Sequence, residues 1–322
     1  MPTAAMPEDQ GAIRLAQSDG CTVWQLSNET GEGTMTTYEV FPGVLLSFND
    51  FHMEYYDSRY VADRQLFAID HCREGRMEYA AGENRLAYTA AGDVKLDLRR
   101  QHTGRFLFPS GHYHGLTIAF DRAVAAQSLP QEMHCFRLTP ESVIACFSLG
   151  EYPRVLHGAQ RLEHIFGELY QVPEKIRIPY FQIKILELLL YLDAMELPQK
   201  ESEPPYFYKT QVEKVKAIRR FLLDHIAESI PQEELARRFG LSMTAMKDCF
   251  RSVYGTAIGA WLTAARMSMA AELLLKEPRR SVAEIGCRVG YDNAGKFTAA
   301  FKREMKLTPT EYRRERGTRY AK

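Results

Sequence analysis

Between residues 40 and 120 the apolar positions fall in short runs broken by turn residues: GVLLSF (43–48), QLFAID (65–70), RLAYTA (85–90), DVKLDL (93–98) and GLTIAF (115–120). Val94, Leu96 and Leu98 alternate with Lys95 and Asp97, a pattern that predicts a strand with one face in a core and the other in water. Gly75, Gly82, Gly92, Gly104 and Gly111 punctuate the region at hairpin-like intervals. An antiparallel β-sandwich or small barrel is the expected product.

The pattern changes after about residue 140, where PRVLHGAQRLEHIFGELY (153–170) and FQIKILELLLYLDAMEL (181–197) read as helices. In the second, Ile183, Leu186 and Leu190 define one face, while Ile185, Leu188, Leu189 and Leu192 widen the apolar surface beyond a single stripe. Such a helix needs cover on more than one side, either inside its own domain or against a second copy. The prolines and charges of PQKESEPPYFYK (198–209) then mark an interdomain linker.

The C-terminal region holds a degenerate repeat. Glu234, Leu235, Arg238 and Gly240 answer to Glu284, Ile285, Arg288 and Gly290; past the turn, Met246, Phe250, Arg251 and Trp261 answer to Phe297, Phe301, Lys302 and Tyr312. The offset grows by one residue across the turn. Each unit predicts a short helix, a tight turn at a glycine with positive φ, and a second helix N-capped by Ser242 or Asp292. This is a helix-turn-helix pattern, whose second helix presents an outer face to a major groove. With Met246, Cys249, Phe250 and Val253 inward, Thr244, Lys247, Asp248 and Arg251 lie outward or flanking. In the second unit Phe297 and Phe301 point inward and leave Gly295, Ala299, Lys302, Arg303 and Lys306 outside.

Charge sharpens this division. The 322-residue chain has a formal net charge of zero, yet residues 209–322 carry 23 Lys and Arg against 13 Asp and Glu, and residues 1–208 carry 18 against 28. A basic module beside an acidic one implies that only the first approaches a polyanion. The six cysteines, scattered and without metal-ligand spacing, read as reduced thiols. The N-terminus lacks the apolar centre of a signal peptide, and no apolar run approaches the ~20 residues that span a bilayer. A cytoplasmic protein with no membrane partner is expected.

LARRFGLSMTAMKDCFRSVYG, ARMSMAAELL, EIGCRVGYDN and FTAAFKREMKLTPTEYR together resemble the AraC/XylS family of bacterial transcription regulators, over residues 211–316. The resemblance implies two helix-turn-helix units joined by one long helix, here roughly 258–276, facing successive major grooves ~34 Å apart. Carried over by position, the first base-reading surface falls on Thr244, Lys247 and Asp248, and the second on Ala294, Gly295 and Ala299. Arg251, Lys296, Lys302 and Arg303 complete the expected DNA-binding set. The chain departs from the family pattern at Asp248, which replaces a residue that is commonly polar or basic, and in a second surface stripped of long side chains.

A β-rich region ahead of such helices resembles the cupin-like effector domain of many AraC-type proteins. The expected class is therefore α+β: a β-rich, cupin-like effector barrel over 1–140, a helical extension over 141–198 suited to dimerisation, a linker over 199–209, and an all-α DNA-binding domain over 210–317. His71 and Arg73 are expected to meet a carboxylate or similar acid inside the barrel, with His112 and His114 as further effector contacts. His112 and His114 also form an HxH pair, as in metal cupins, but Gly115, Leu116, Thr117 and Ile118 follow in place of a downstream glutamate. No metal, cofactor or catalytic residue is expected. The function implied is a transcription regulator, an activator acting on double-stranded DNA with RNA polymerase, a small-molecule effector and a second copy of itself. The alternatives are a cupin-type metalloenzyme fused to a DNA-binding module and a nucleoid-type binder without sequence preference.

Overall fold

The computed structural model describes residues 12–18, 20–58, 66–99, 104–130, 139–195 and 206–320. The chain divides into two compact units, Met1–Tyr208 and Lys209–Lys322.

In the first unit the strands, numbered along the chain, build two antiparallel sheets. The larger runs β1 (Ala12–Ser18), β2 (Cys21–Asn28), β3 (Gly31–Phe41), β4 (Val44–His52), β11 (Tyr113–Asp121), β6 (Leu66–Gly75), β9 (Val94–Arg99) and β12 (Arg154–Leu156). The smaller runs β13 (Phe207–Tyr208), β8 (Arg85–Thr89), β7 (Met77–Gly82), β10 (Gly104–Leu107) and β5 (Tyr55–Ser58). Among the described residues neither sheet closes on itself, so the expected barrel is instead a pair of open sheets. The predicted runs sit on β4, β6, β8, β9 and β11.

Four helices, α1 (Arg122–Ser128), α2 (Pro140–Cys146), α3 (Gln160–Leu169) and α4 (Arg177–Asp193), cover one face of the larger sheet. Val44, Leu46, Phe67, Ile69, Leu96, Leu116, Ile118 and Phe120 meet Phe147, Ile165, Phe166, Phe181, Ile185 and Leu188 there in one continuous core. The opposite face packs Trp24, Leu26, Phe51, Cys72 and Tyr113 against Met77 and Phe108. With both faces covered, β6 is buried from Phe67 to Cys72 without a break, as a central strand must be.

Full cover corrects the expectation for β9. Val94 and Leu96 face the helices, but Lys95 is 3% exposed and not in water. Its Nζ lies 3.1 Å from Asp70 Oδ2 and 3.4 Å from Asp97 Oδ2, and Arg99 also pairs with Asp70. Thr117 Oγ1 donates to Asp70 Oδ1 at 2.7 Å, and Asn49 Nδ2 donates to Thr117 Oγ1 at 3.1 Å. Burial alone would raise the Asp70 carboxyl, but the charges of Arg99 and Lys95, with hydrogen bonds from Arg99 and Thr117, hold it well below the usual range.

α4 buries Phe181, Ile185, Leu188, Leu189 and Leu192, while Ile183 and Leu190 stay 61% and 46% exposed. Leu186, placed with them by helical period, is partly buried against the core. Residues 199–205 of the expected linker (199–209) lie outside the described residues. Its last stretch is not a loop: Phe207 and Tyr208 pair with Leu86 and Arg85 of β8.

The second unit is all helical: α5 (Lys209–Asp224), α6 (Gln232–Phe239), α7 (Met243–Tyr254), α8 (Ile258–Lys276), α9 (Val282–Arg288), α10 (Ala294–Met305) and α11 (Pro309–Tyr320). Contrary to the expectation that no segment is long and apolar enough to span a bilayer, α8 meets that test by length and composition. It packs, however, against α7, α9, α10 and α11, burying Ile258, Met267, Ala270 and Leu274.

Replacing Asp70 with asparagine takes the nearer of two carboxylates from the buried Lys95 and Arg99, leaving the longer contacts to Asp97, and should destabilise the first unit by about 3–5 kcal/mol. Urea unfolding followed by Trp24 fluorescence in a Trp261→Phe background measures it. Because the native Asp70 carboxyl sits below its unfolded value near 4, its contribution is present above that pH and lost as pH falls below it. The asparagine variant should therefore show a flatter acid limb.

Candidate nucleic-acid interface and effector cavity

The two helical repeats are built by the same local physics. α6 ends on Gly240 at φ +59°, and the second turn passes through Gly290 at φ +83°. The amide of Leu241 donates to Ala236 O at 2.9 Å and that of Tyr291 to Gly286 O at 3.0 Å, closing equivalent turns fifty residues apart. Ser242 caps α7 through the amide of Ala245, as expected, but α10 is capped by Asn293 through the amide of Lys296 and not by Asp292. The physical reason is the extra residue after the second glycine, which moves the capping position one place along.

Beneath each second helix lies the same aromatic joint. Phe250 meets Trp261 edge-on at 5.7 Å between ring centroids, and their counterparts Phe301 and Tyr312 do so at 5.5 Å. The buried faces, Met246, Cys249, Phe250 and Val253 on α7 and Phe297, Ala300 and Phe301 on α10, fix which residues face out. Thr244, Lys247, Asp248 and Arg251 are all exposed, at helical spacings that put them on one stripe. Ala294, Gly295, Lys296, Ala299, Lys302 and Arg303 are likewise exposed.

Sequence reasoning missed Arg266, midway along α8. Its Nε donates to Ile226 O and a terminal nitrogen to Glu228 O, both at 2.8 Å, tying the loop after α5 to the shared helix. Gly290 fits into this joint: a Cβ there would stand 2.6 Å from Ala227 O and 2.9 Å from the Arg266 guanidinium. Arg313 repeats the device from α11, donating to Leu274 O at 3.3 Å and Arg280 O at 2.8 Å.

In the first unit a cavity of about 170 Å³ lies between the two sheets. Its wall is mostly apolar, with Trp24, Phe51 and Phe108, and carries Asn49, Thr117 and the Asp70–Arg99 pair as polar groups. None of the four residues expected to contact an effector lines it. His71 lies on the sheet face that meets the helices, stacked on Phe166 at 4.2 Å with Nδ1 3.2 Å from Tyr170 Oη. Burial, with help from the Arg73 charge, pushes its imidazole down to about 4, so it is neutral at pH 7. Arg73 lies over the Tyr170 ring, at 4.6 Å. His112 Nδ1 contacts Ser110 O, and His114 neighbours Asp50 and His52. Strand alternation separates His71, Arg73 and His114 from the cavity, since the same strands point Asp70 and Thr117 into it. The signal that would have found the cavity is Asp70, the lone acid at the end of the apolar run LFAID.

Comparison with known proteins places this geometry. The model of a helix-turn-helix domain matches residues 235–315. The virulence regulon transcriptional activator VirF of Yersinia enterocolitica is 28% identical over 96 residues, 30% of this chain and 35% of VirF. The HTH-type transcriptional activator RhaS of Escherichia coli O1:K1 / APEC is 25% identical over 174 residues, 52% of this chain and 60% of RhaS. The matches centre on the C-terminal unit, which is similar to the DNA-binding domain of AraC/XylS regulators. Among solved structures, the C-terminal domain of AraT, a response regulator from Geobacillus stearothermophilus, is 32% identical, with a TM-score of 0.30, over 31% of this chain and 84% of that one. The chain thus spans about a third of the length of VirF and somewhat more than half of RhaS.

Within this AraC/XylS-like unit the two turn glycines are not equally demanding. A Cβ at Gly240 meets only the flexible Lys214 Nζ at 3.5 Å, whereas one at Gly290 meets backbone. Gly240→Ala should therefore cost about 1–2 kcal/mol, the left-handed backbone term alone, and Gly290→Ala clearly more. Thermal unfolding of the two variants checks the order, and equal losses would remove the joint from the account.

Proposed function

We propose that this chain is a sequence-specific transcription regulator, an activator working with RNA polymerase in the cytoplasm. The observation that carries the reading is the pair of exposed stripes on α7 and α10, equivalent in construction, in one basic unit, and joined by the single helix α8. Thr244, Lys247 and Asp248 are the base-reading set, with Asp248 meeting a cytosine amino group, since beside phosphate it would repel. Ala294, Gly295 and Ala299 have no side-chain donors, so the second helix positions more than it specifies. Arg251, Lys296, Lys302 and Arg303 hold phosphates.

The cavity is the effector site. Its volume suits a compact molecule, since an engineered cavity of ~150 Å³ takes benzene. Lys95 and Arg99 are balanced by Asp70 and Asp97, so the wall favours an uncharged ligand that is largely apolar and hydrogen-bonds Asn49 or Thr117. This supersedes the assignment of the effector to His71, Arg73, His112 and His114. Self-association is assigned to the outer stripe of α4, where Ile183 and Leu190 are the exposed apolar residues.

Two measurements test the reading. Selection of bound DNA from a random pool gives the operator; on it, Lys247→Ala should relax preference at one or two base pairs by ~1–3 kcal/mol. Lys302→Ala should weaken specific and nonspecific DNA alike and lower the salt slope by ~1. Equal base discrimination in both half-sites would refute the division of labour. For the dimer, Ile183→Glu with Leu190→Glu should turn a dimer into a monomer in sedimentation at micromolar concentration. A monomeric parent protein would end that assignment.

A further inference from the structure

At one end of the larger sheet, Asp50 and His52 on β4 and His114 on β11 converge, their ligand atoms all within 4.8 Å of one another. Asp50 and His114 are directly paired across the two strands, and His52 lies two residues along, on the same face. His52 Nε2 and His114 Nε2 approach the same oxygen, Asp50 Oδ1, at 3.0 and 3.1 Å. The two rings stand 5.0 Å apart and nearly perpendicular, at 82°.

A pair of ordinary hydrogen bonds does not account for this. His114 Nε2 is buried and makes no hydrogen bond, although the carboxylate oxygen is close, because the approach is misdirected. Two imidazole nitrogens thus gather on one carboxylate oxygen, and one of the two is left without a hydrogen bond. For Zn²⁺ with bonds of ~2.0–2.1 Å, the ligand atoms of a tetrahedron lie about 3.3 Å apart, within a few tenths of an ångström of the two imidazole-to-carboxylate separations. A bulge in the pairing of β11 with β6, between His114 and Gly115, is the type of irregularity that re-aims a side chain. Glu32 stands opposite His52 and Glu74 opposite His114 in the flanking strands, which adds negative charge to the surroundings.

We infer that Asp50, His52 and His114 form a binding site for a divalent transition-metal ion of the zinc class, where the sequence alone led to the expectation of no metal. Imidazole with carboxylate suits Zn²⁺, Co²⁺ or Ni²⁺ and not Mg²⁺. Side chains 56%, 63% and 30% exposed leave the remaining coordination positions to water. The ion fastens β4 to β11, whose alternate residues Asn49, Phe51 and Tyr113 line the cavity, so metal occupancy bears on the cavity wall. The inference is independent of the DNA-binding assignment.

The test uses the full chain without an affinity tag, stripped with chelator and titrated with Zn²⁺ by calorimetry and with Co²⁺ by visible absorption. One equivalent should bind with micromolar or tighter affinity, raise the thermal midpoint, and give the intense visible bands of a low-symmetry Co²⁺ site, while millimolar Mg²⁺ does neither. His52→Ala and Asp50→Ala, both at exposed positions, should weaken binding at least tenfold with an unchanged circular dichroism spectrum. His164→Ala, on an exposed histidine outside the cluster, should not. Absence of saturable binding, or affinity unchanged in either cluster variant, overturns the inference.

Discussion

Asp70 is the point on which the first unit turns. Its sheet is covered by helices on one face and by a second sheet on the other, so the polar face of β9 has no water to reach. Lys95 and Arg99 can be buried there only because Asp70 and Asp97 accept their charges and Thr117 completes the lone pairs of Asp70. The same closure leaves a cavity beside the ion cluster. The cavity and the buried charge network are thus two results of one packing arrangement.

In the second unit the corresponding constraint is α8. One helix packs against parts of both helix-turn-helix repeats, and Arg266 anchors the loop after α5 to it through two carbonyls. Gly290 fits beside that anchor because it lacks a Cβ. α7 and α10 are thereby connected through a shared packed helix and a crowded joint.

The strand alternation that buries the cavity wall also sends its neighbours outward. Asn49, Phe51 and Tyr113 face in, while Asp50, His52 and His114, one residue away on the same strands, gather on the opposite face. The cavity wall and the histidine–aspartate cluster therefore share a pair of strands.

The helix-turn-helix repeat was legible in the sequence alone, because it is local. Glycine at a positive-φ turn, a capping side chain and apolar residues four apart act within one or two turns of helix, and both outward faces follow from that period. The shift of the second cap from Asp292 to Asn293 was implicit in the change of repeat offset. The strands themselves were legible for the same reason. What covers a strand is decided by chain far away in sequence: alternation shows that Lys95 and Asp97 share a face, but the second sheet decides that Lys95 is buried. His71 and His114 read as barrel-facing because the sequence does not say which face of a two-sided sheet encloses space. The Asp50, His52 and His114 cluster joins residues more than sixty positions apart. Only the pairing of β4 with β11 brings them together, because strand register is set by tertiary packing and not by any local preference.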